Sequence, residues 1–200
     1  MNDISKLVKK SYDRIAVDYY THRDLNKFND LLDKFVSYLS SKAHVLDAGC
    51  GAGIPSAKFL VDKGIKVTGI DLSDTMLNLA KKNVPEASFI NMDMNLLEFE
   101  ENSFDGIISV FTLFHIPREN HLSIFENFYK ILKEGGILMI NTGVNESEGR
   151  SMFFGEEMFW SNYDPKKTLE LVKRAGFSIL YDDILVRGGE YQYWMFAKKS

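Results

Sequence analysis

The sequence predicts an α/β fold: an open, mostly parallel sheet covered by helices on both faces and ending in an antiparallel hairpin. Three observations carry that expectation. Five short apolar runs alternate with helical patterns between residues 44 and 141, an alternation that gives parallel strands joined by right-handed crossovers. A glycine cluster stands between the first run and the helix behind it. Near the C-terminus, two β-rich runs flank Gly188-Gly189, which reads as a hairpin.

The first forty residues read as helix, with Ile4, Val8, Tyr12, Ile15 and Tyr19 recurring at steps of three or four. Phe28, Leu31, Leu32, Phe35, Val36 and Leu39 do the same. The first strand is His44 to Leu46, followed by the glycines and a helix across Pro55 to Lys63 that stops at Gly64. Lys66 to Ile70 makes the second strand, and Ser73 caps a helix with Met76, Leu77 and Ala80 on its inner side. Ser88 to Asn91 and Phe104 to Val110 are the third and fourth strands. A helix then presents Leu122, Phe125, Tyr129 and Leu132, ends at Gly135-Gly136, and leads into a fifth strand, Ile137 to Asn141. Gly143 to Gly149 is polar and glycine-flanked, which predicts irregular structure. A helix over Pro165 to Ala175 precedes the strand-like runs Ser178 to Val186 and Tyr191 to Ala197.

At 200 residues the chain has room for about one domain. Lys+Arg 24 against Asp+Glu 28 gives a net charge of −4, which argues against the basic face a nucleic-acid partner needs. The single cysteine, Cys50, excludes an intramolecular disulfide and a multi-cysteine zinc site. His22, His44, His115 and His121 form no spaced ligand set, so no metal site is expected. The opening MNDISKLVKKSYDR has no apolar signal core. The longest apolar run, Gly106 to Ile116, is too short to span a bilayer. A soluble, cytoplasmic, single-domain protein is the expectation.

The densest signal is Val45-Leu46-Asp47-Ala48-Gly49-Cys50-Gly51-Ala52-Gly53, a strand entering glycines before a helix. In an open parallel sheet, ligands sit beyond the carboxyl ends of the strands. An acid, Asp71, ends the second strand 18 positions after Gly53, where a carboxylate accepts both hydroxyls of a ribose. The dinucleotide fingerprint G-x-G-x-x-G fails here, because Ile54 and Ser56 stand where its third glycine belongs. The run is instead D-x-G-x-G-x-G, and an acid beside the loop suits a cationic ammonium better than a diphosphate.

Asp47 to Gly53 resembles the signature of class I S-adenosylmethionine-dependent methyltransferases. Further segments match that family in order. Gly69 to Ser73 is similar to its ribose-binding strand end, and Asn91 to Met94 to its adenine-contacting turn. Phe104 to Ser109, running on to Leu113-Phe114-His115-Ile116, resembles its fourth strand, and Leu132 to Leu138 its turn into the fifth. Ser11 to Ala16 with Tyr19 resembles the first helix of the ubiquinone/menaquinone-biosynthesis-like branch. The resemblance covers most of residues 11 to 141. It implies a Rossmann-like, doubly wound sheet of seven strands in one domain over 1–200, with a helical cap over 1–40 and a substrate-side insertion over 143–165.

The resemblance also assigns site residues, each with a plainer alternative. Asp71 and Leu72 take the ribose, unless Asp71 only caps the next helix. Asp47 lies near the methionyl ammonium, or bonds loop amides. Gly49, Cys50, Gly51 and Gly53 form the cofactor loop, or a mere tight turn, and Cys50 is not a nucleophile. Asp93 and Met94 read the adenine, or make a surface turn. Phe111 offers a backbone carbonyl to the ammonium, or packs in the core. Tyr12 and Tyr19 lie over the cofactor, or form an aromatic stripe. His115 is a base or orienter, though the family's paired histidines are here Phe114-His115.

The implied function is methyl transfer from S-adenosyl-L-methionine, leaving S-adenosyl-L-homocysteine, to a small-molecule acceptor by in-line displacement. The segment Ser109-Val110-Phe111-Thr112 lacks the Asn/Asp-Pro-Pro-aromatic run of base methylases, which with the acidic charge disfavours nucleic-acid acceptors. Phe153 to Tyr163 holds Phe153, Phe154, Phe159, Trp160 and Tyr163, and Trp160 and Tyr163 are the expected acceptor contacts because each offers a polar tip. A non-catalytic binder of the cofactor or its product is one rival reading. A nicotinamide-dependent oxidoreductase is the other. A monomer or homodimer without a membrane span is expected.

Overall fold

The computed structural model describes residues 1–22, 28–187 and 189–200. Among them lie six α-helices: α1 Asp3–His22, α2 Asn29–Ser37, α3 Ser56–Asp62, α4 Asp74–Asn83, α5 His121–Ile131 and α6 Pro165–Arg174. The strands are β1 His44–Ala48, β2 Lys66–Asp71, β3 Ser88–Asn91, β4 Phe104–Ser109, β5 Leu132–Thr142, β6 Ser147–Phe153, β7 Glu156–Asn162, β8 Phe177–Arg187 and β9 Glu190–Lys199. Seven form one sheet in the order β3-β2-β1-β4-β5-β9-β8. The first five pair in parallel. β9 enters between β5 and β8, antiparallel to both, so the two C-terminal runs form the antiparallel hairpin the sequence predicts. Gly188 lies outside the described residues, and Gly189 takes φ +81°.

Strand periodicity builds the two-sided core. Side chains alternate faces along a strand, so Leu46, Ile107, Leu138 and Met195 pack toward α5 and α6. Their neighbours Val45, Ile108, Met139 and Trp194 pack toward α2 and α3. α4 starts as expected, with Ser73 Oγ accepting from Met76 N at 3.1 Å. α6 starts on Asp164, which accepts from Lys167 N, with Pro165 in its first turn.

Two expectations change. α5 ends at Ile131 rather than at Gly135-Gly136, because Leu132 is already extended (φ −72°, ψ 143°) and paired with Phe104 of β4. Its buried face is His121, Ile124, Phe125, Phe128 and Ile131; Leu122 and Tyr129 lie at its margin. The stretch 143–149 is also not wholly irregular, because β6 begins at Ser147 and pairs antiparallel with β7. Phe154 and Gly155 both take positive φ, +50° and +84°, the two-residue turn that matches strand twist. β6 hid from the hydrophobic pattern because six of its seven residues are exposed.

The N-terminal helices part company. α1 lies against the β6–β7 hairpin, packing Val8 and Ile15 on Met158 and Phe159. It is tied to the start of α4 by Asp13, which accepts from Ser73 Oγ at 2.7 Å and Thr75 N at 3.2 Å. α2 instead buries Leu31, Leu32 and Phe35 under the sheet beside α3. Residues 23–27 of the expected 1–40 cap lie outside the described residues.

Candidate active site

The strand order turns at β1, with β2 on one side and β4 on the other. Crossovers there leave in opposite directions and open a crevice at the strands' carboxyl ends. A cavity of about 400 Å³ fills it.

The glycine loop is bolted to β2. Gly49 N and Cys50 N both donate to Ile70 O, at 2.8 and 2.9 Å. Gly49 takes φ +83°, and a Cβ there would stand 2.2 Å from Thr112 Oγ1, so only glycine lets the β4 end approach this closely. Gly53 sits in the loop's tight turn, with φ +78° and its N–H donating to Cys50 O at 2.9 Å. It is not among the cavity-lining residues, and a Cβ there would meet Val84, Ala80 and Phe89 at 3.2–3.4 Å. Its service is to let α4 pack.

Two acids converge on the loop. Asp71 Oδ2 accepts from Gly51 N at 2.9 Å and Oδ1 from Ser73 N at 2.8 Å, so its carboxylate is held rigid as it lines the cavity. The cap of α4 is Ser73, so Asp71 ties the glycine loop to the turn after β2 rather than capping the helix. Asp47 also lines the cavity, is 2% exposed, and its Oδ2 is buried with no hydrogen-bond partner among the described residues. Burial, and then the negative charge of Asp71, push its carboxyl up from the ordinary 3.8 to about 7. A buried anion needs a counter-charge, and a ligand ammonium supplies one. Asp71 is raised too, chiefly by burial. The Cys50 thiol is pushed well above its usual range by burial and both acids, which keeps it protonated.

Leu72, Asp93, Met94 and Phe111 all line the cavity. Asp93 also accepts from Asn95 N at 2.9 Å, starting the 3-10 turn Met94–Leu96. Phe111 takes φ +58°, and its ring packs on Phe28 and Trp194.

At the other end, α1 brings Tyr12 and Tyr19 into the wall, with their rings edge-on at 5.6 Å. Tyr12 Oη lies 2.8 Å from His115 Nε2, and His115 Nδ1 lies 3.0 Å from Phe159 O. A carbonyl only accepts, so Nδ1 carries the proton of the neutral ring and Nε2 accepts from the Tyr12 hydroxyl. Trp160 lines the cavity against His115 and Phe153, at 4.7 and 5.3 Å between ring centroids. Tyr163 does not line it. It packs on His121 at 6.1 Å and beneath the Arg118 guanidinium. The two residues stand an odd number of positions apart along an extended segment, which turns them to opposite sides. Residues that sequence reasoning missed include Thr112, Phe28, Arg187 and Glu190; the last two flank the glycine pair that was read only as a turn. Among the described residues no group of three or more His, Cys, Asp or Glu gathers as a metal site.

A parallel sheet with a glycine loop at its switch point, Asp47 near the end of β1, Asp71 at the end of β2, and an antiparallel strand inserted between β5 and β8 is the Rossmann-like methyltransferase fold. Residues 45–136 match the family described as a methyltransferase domain, a segment holding the loop and both acids. The chain is 37% identical over 153 residues to phosphoethanolamine N-methyltransferase 1 of Triticum aestivum, covering 72% of this chain and 30% of that protein. It is 31% identical over 158 residues to sterol 24-C-methyltransferase of Pneumocystis carinii, covering 70% of this chain and 41% of that one. It spans less than half the length of the curated relatives it matches. Magnesium protoporphyrin IX methyltransferase of Synechocystis, solved with bound S-adenosylmethionine, shares the fold at TM-score 0.79 and 16% identity, covering 100% of this chain and 99% of that one.

Proposed function

We propose that this chain transfers the methyl group of S-adenosylmethionine to a small, apolar-bodied acceptor. The observation that carries the reading is the convergence of a buried carboxylate, Asp47, and a half-buried one, Asp71, with the glycine loop on one cavity whose far wall is aromatic. When bound, the cofactor supplies an activated methyl on a sulfonium, so the protein has chiefly to align and to exclude water. Asp47 meets the methionyl ammonium, Asp71 the ribose hydroxyls, and Asp93 with Met94 the adenine edge. Gly49, Cys50 and Gly51 let the backbone close on the ligand. Tyr12 and Tyr19 cover it from α1.

The acceptor enters against Phe114, Phe153, Phe154 and Trp160. Among the described residues, Arg187 is the one lysine or arginine lining the cavity, and it is paired with Asp30 at 2.6 Å. A phosphorylated acceptor, as in the name of the wheat relative, would lack a free cation here. Where the acceptor is an oxygen or nitrogen, its proton reaches Tyr12 Oη and passes to His115 Nε2. The Tyr12-to-Tyr19 segment supports placement in the ubiquinone/menaquinone-biosynthesis-like branch. The reading includes one domain over 1–200, a cytoplasmic monomer or homodimer, and no nucleic-acid partner. Among the described residues no helix is long and apolar enough to cross a membrane. The test is release of S-adenosylhomocysteine across a panel of small apolar-bodied acceptors, neutral and phosphorylated, with turnover expected on neutral ones. Turnover only on phosphorylated ones, or on none, refutes it.

A further inference from the structure

Beneath the cavity wall runs a buried chain of amides that the reading above does not use. Phe111 holds φ +58°, a left-handed backbone that a bulky residue rarely adopts and that persists only when its surroundings enforce it. Its N–H donates to Asn141 Oδ1 at 2.6 Å. Asn141 Nδ2 donates to Gln192 Oε1 at 2.7 Å, and Gln192 Nε2 to Glu190 Oε2 at 3.3 Å. Asn141 is fully buried and Gln192 is 4% exposed. Neither lines the cavity, whereas both ends of the chain, Phe111 and Glu190, do.

We propose that Asn141 is a positioning residue, which sets the methionyl end of the cofactor site by fixing Phe111 and Thr112 against the glycine loop. The inference rests on the reading of this cavity as an S-adenosylmethionine site. Past the end of β4 at Ser109, the Phe111 N–H has left the strand and needs another acceptor. An amide is the side chain that serves, because one end must accept from Phe111 while the other donates to Gln192 Oε1. A carboxylate would turn an acceptor toward an acceptor. The effect passes directly to the loop. Thr112 Oγ1 shares its one proton between Val110 O at 3.1 Å and Gly49 O at 3.3 Å, and the Thr112 side chain occupies the space a Cβ on Gly49 would need. Asp71, Leu72, Asp93 and Met94, at the nucleoside end, take part in none of these bonds.

That division makes the proposal testable by cutting the ligand in two. Calorimetry compares S-adenosylhomocysteine with methylthioadenosine, which lacks the amino-acid tail, on the wild-type chain and on Asn141→Leu. The expected result is a loss of tenfold or more for S-adenosylhomocysteine, with methylthioadenosine held within twofold. Unchanged affinity for both, or equal loss for both, overturns the proposal and leaves Asn141 a fold residue. Should Asn141→Leu not fold, Gln192→Met takes its place, keeping the Phe111 bond but untying its support. A selective loss of about threefold or more for S-adenosylhomocysteine is then expected, and a non-selective or absent loss overturns the proposal. A wild-type chain that binds neither ligand overturns the cofactor reading itself, and this inference with it.

Discussion

Replacing Asp47 by asparagine should make the protein more stable and unable to hold its cofactor. The carboxyl is buried, one oxygen has no partner among the described residues, and Asp71 lies close enough to repel it. In the unfolded chain it ionises near 3.8, but in the folded chain only near 7. Below about pH 3 both states carry the proton, so the residue costs nothing. Between pH 4 and 7 the unfolded state releases its proton first, and the folded state loses ground; above pH 7 the cost is constant. At 1.36 kcal/mol per pH unit, that gap is worth at most about 4 kcal/mol. Asparagine removes the charge but leaves a buried N–H group that takes back part of the gain, so about 2 kcal/mol is expected at pH 8. For a chain of this size that raises Tm by about 4–8 °C. Scanning calorimetry of Asp47→Asn and wild type at pH 4.5, 6 and 8 should show a difference that is small at the first, grows, and is largest at the last. A gain independent of pH, or a loss at pH 8, would refute the reasoning.

Other outcomes follow from the same site. Affinity for S-adenosylhomocysteine should rise as pH increases through about 7, where Asp47 ionises, and level off near 8 as the ligand's amino group begins to lose its proton; titration calorimetry that shows flat binding between pH 6 and 8 contradicts this. Asp71→Asn keeps an acceptor for only one of the two amides that Asp71 holds, Gly51 N or Ser73 N, and loses the charge, and should weaken S-adenosylhomocysteine by about tenfold to a few hundredfold with the circular dichroism spectrum unchanged; an unaltered Kd would reduce Asp71 to a loop tie. Trp160→Ala should raise the acceptor's KM or lower kcat while cofactor affinity stays within twofold, whereas parallel loss of cofactor binding and Tm would make it core. Tyr12→Phe should lower kcat on an oxygen or nitrogen acceptor at least tenfold with cofactor affinity within threefold, since only the hydroxyl bonded to His115 is removed; undiminished turnover excludes the relay.

Much of this was legible because local chemistry and global fold agree there. Asp47, the glycines and Asp71 are contiguous with strands whose apolar runs are unmistakable, and the sheet places them together by topology alone. The C-terminal hairpin was legible for the same reason, two β-rich runs around a glycine turn. The β6–β7 hairpin was not, because β6 is polar and exposed and its turn uses Phe154, a residue that seldom announces a left-handed backbone. Tyr163 looked like Trp160 by composition, and only the strand's two-residue alternation separates them. Asn141 carried no signal, since its role depends on Phe111 and Gln192, 30 and 51 positions away.

The central claim is that Asp47, Asp71 and the glycine loop form an S-adenosylmethionine site. Titration calorimetry of the whole chain with S-adenosylhomocysteine and, separately, with NAD tests it most directly. The account predicts saturable one-to-one binding of S-adenosylhomocysteine and no comparable binding of NAD, because no third glycine opens room for a pyrophosphate. Preferential binding of NAD would contradict it.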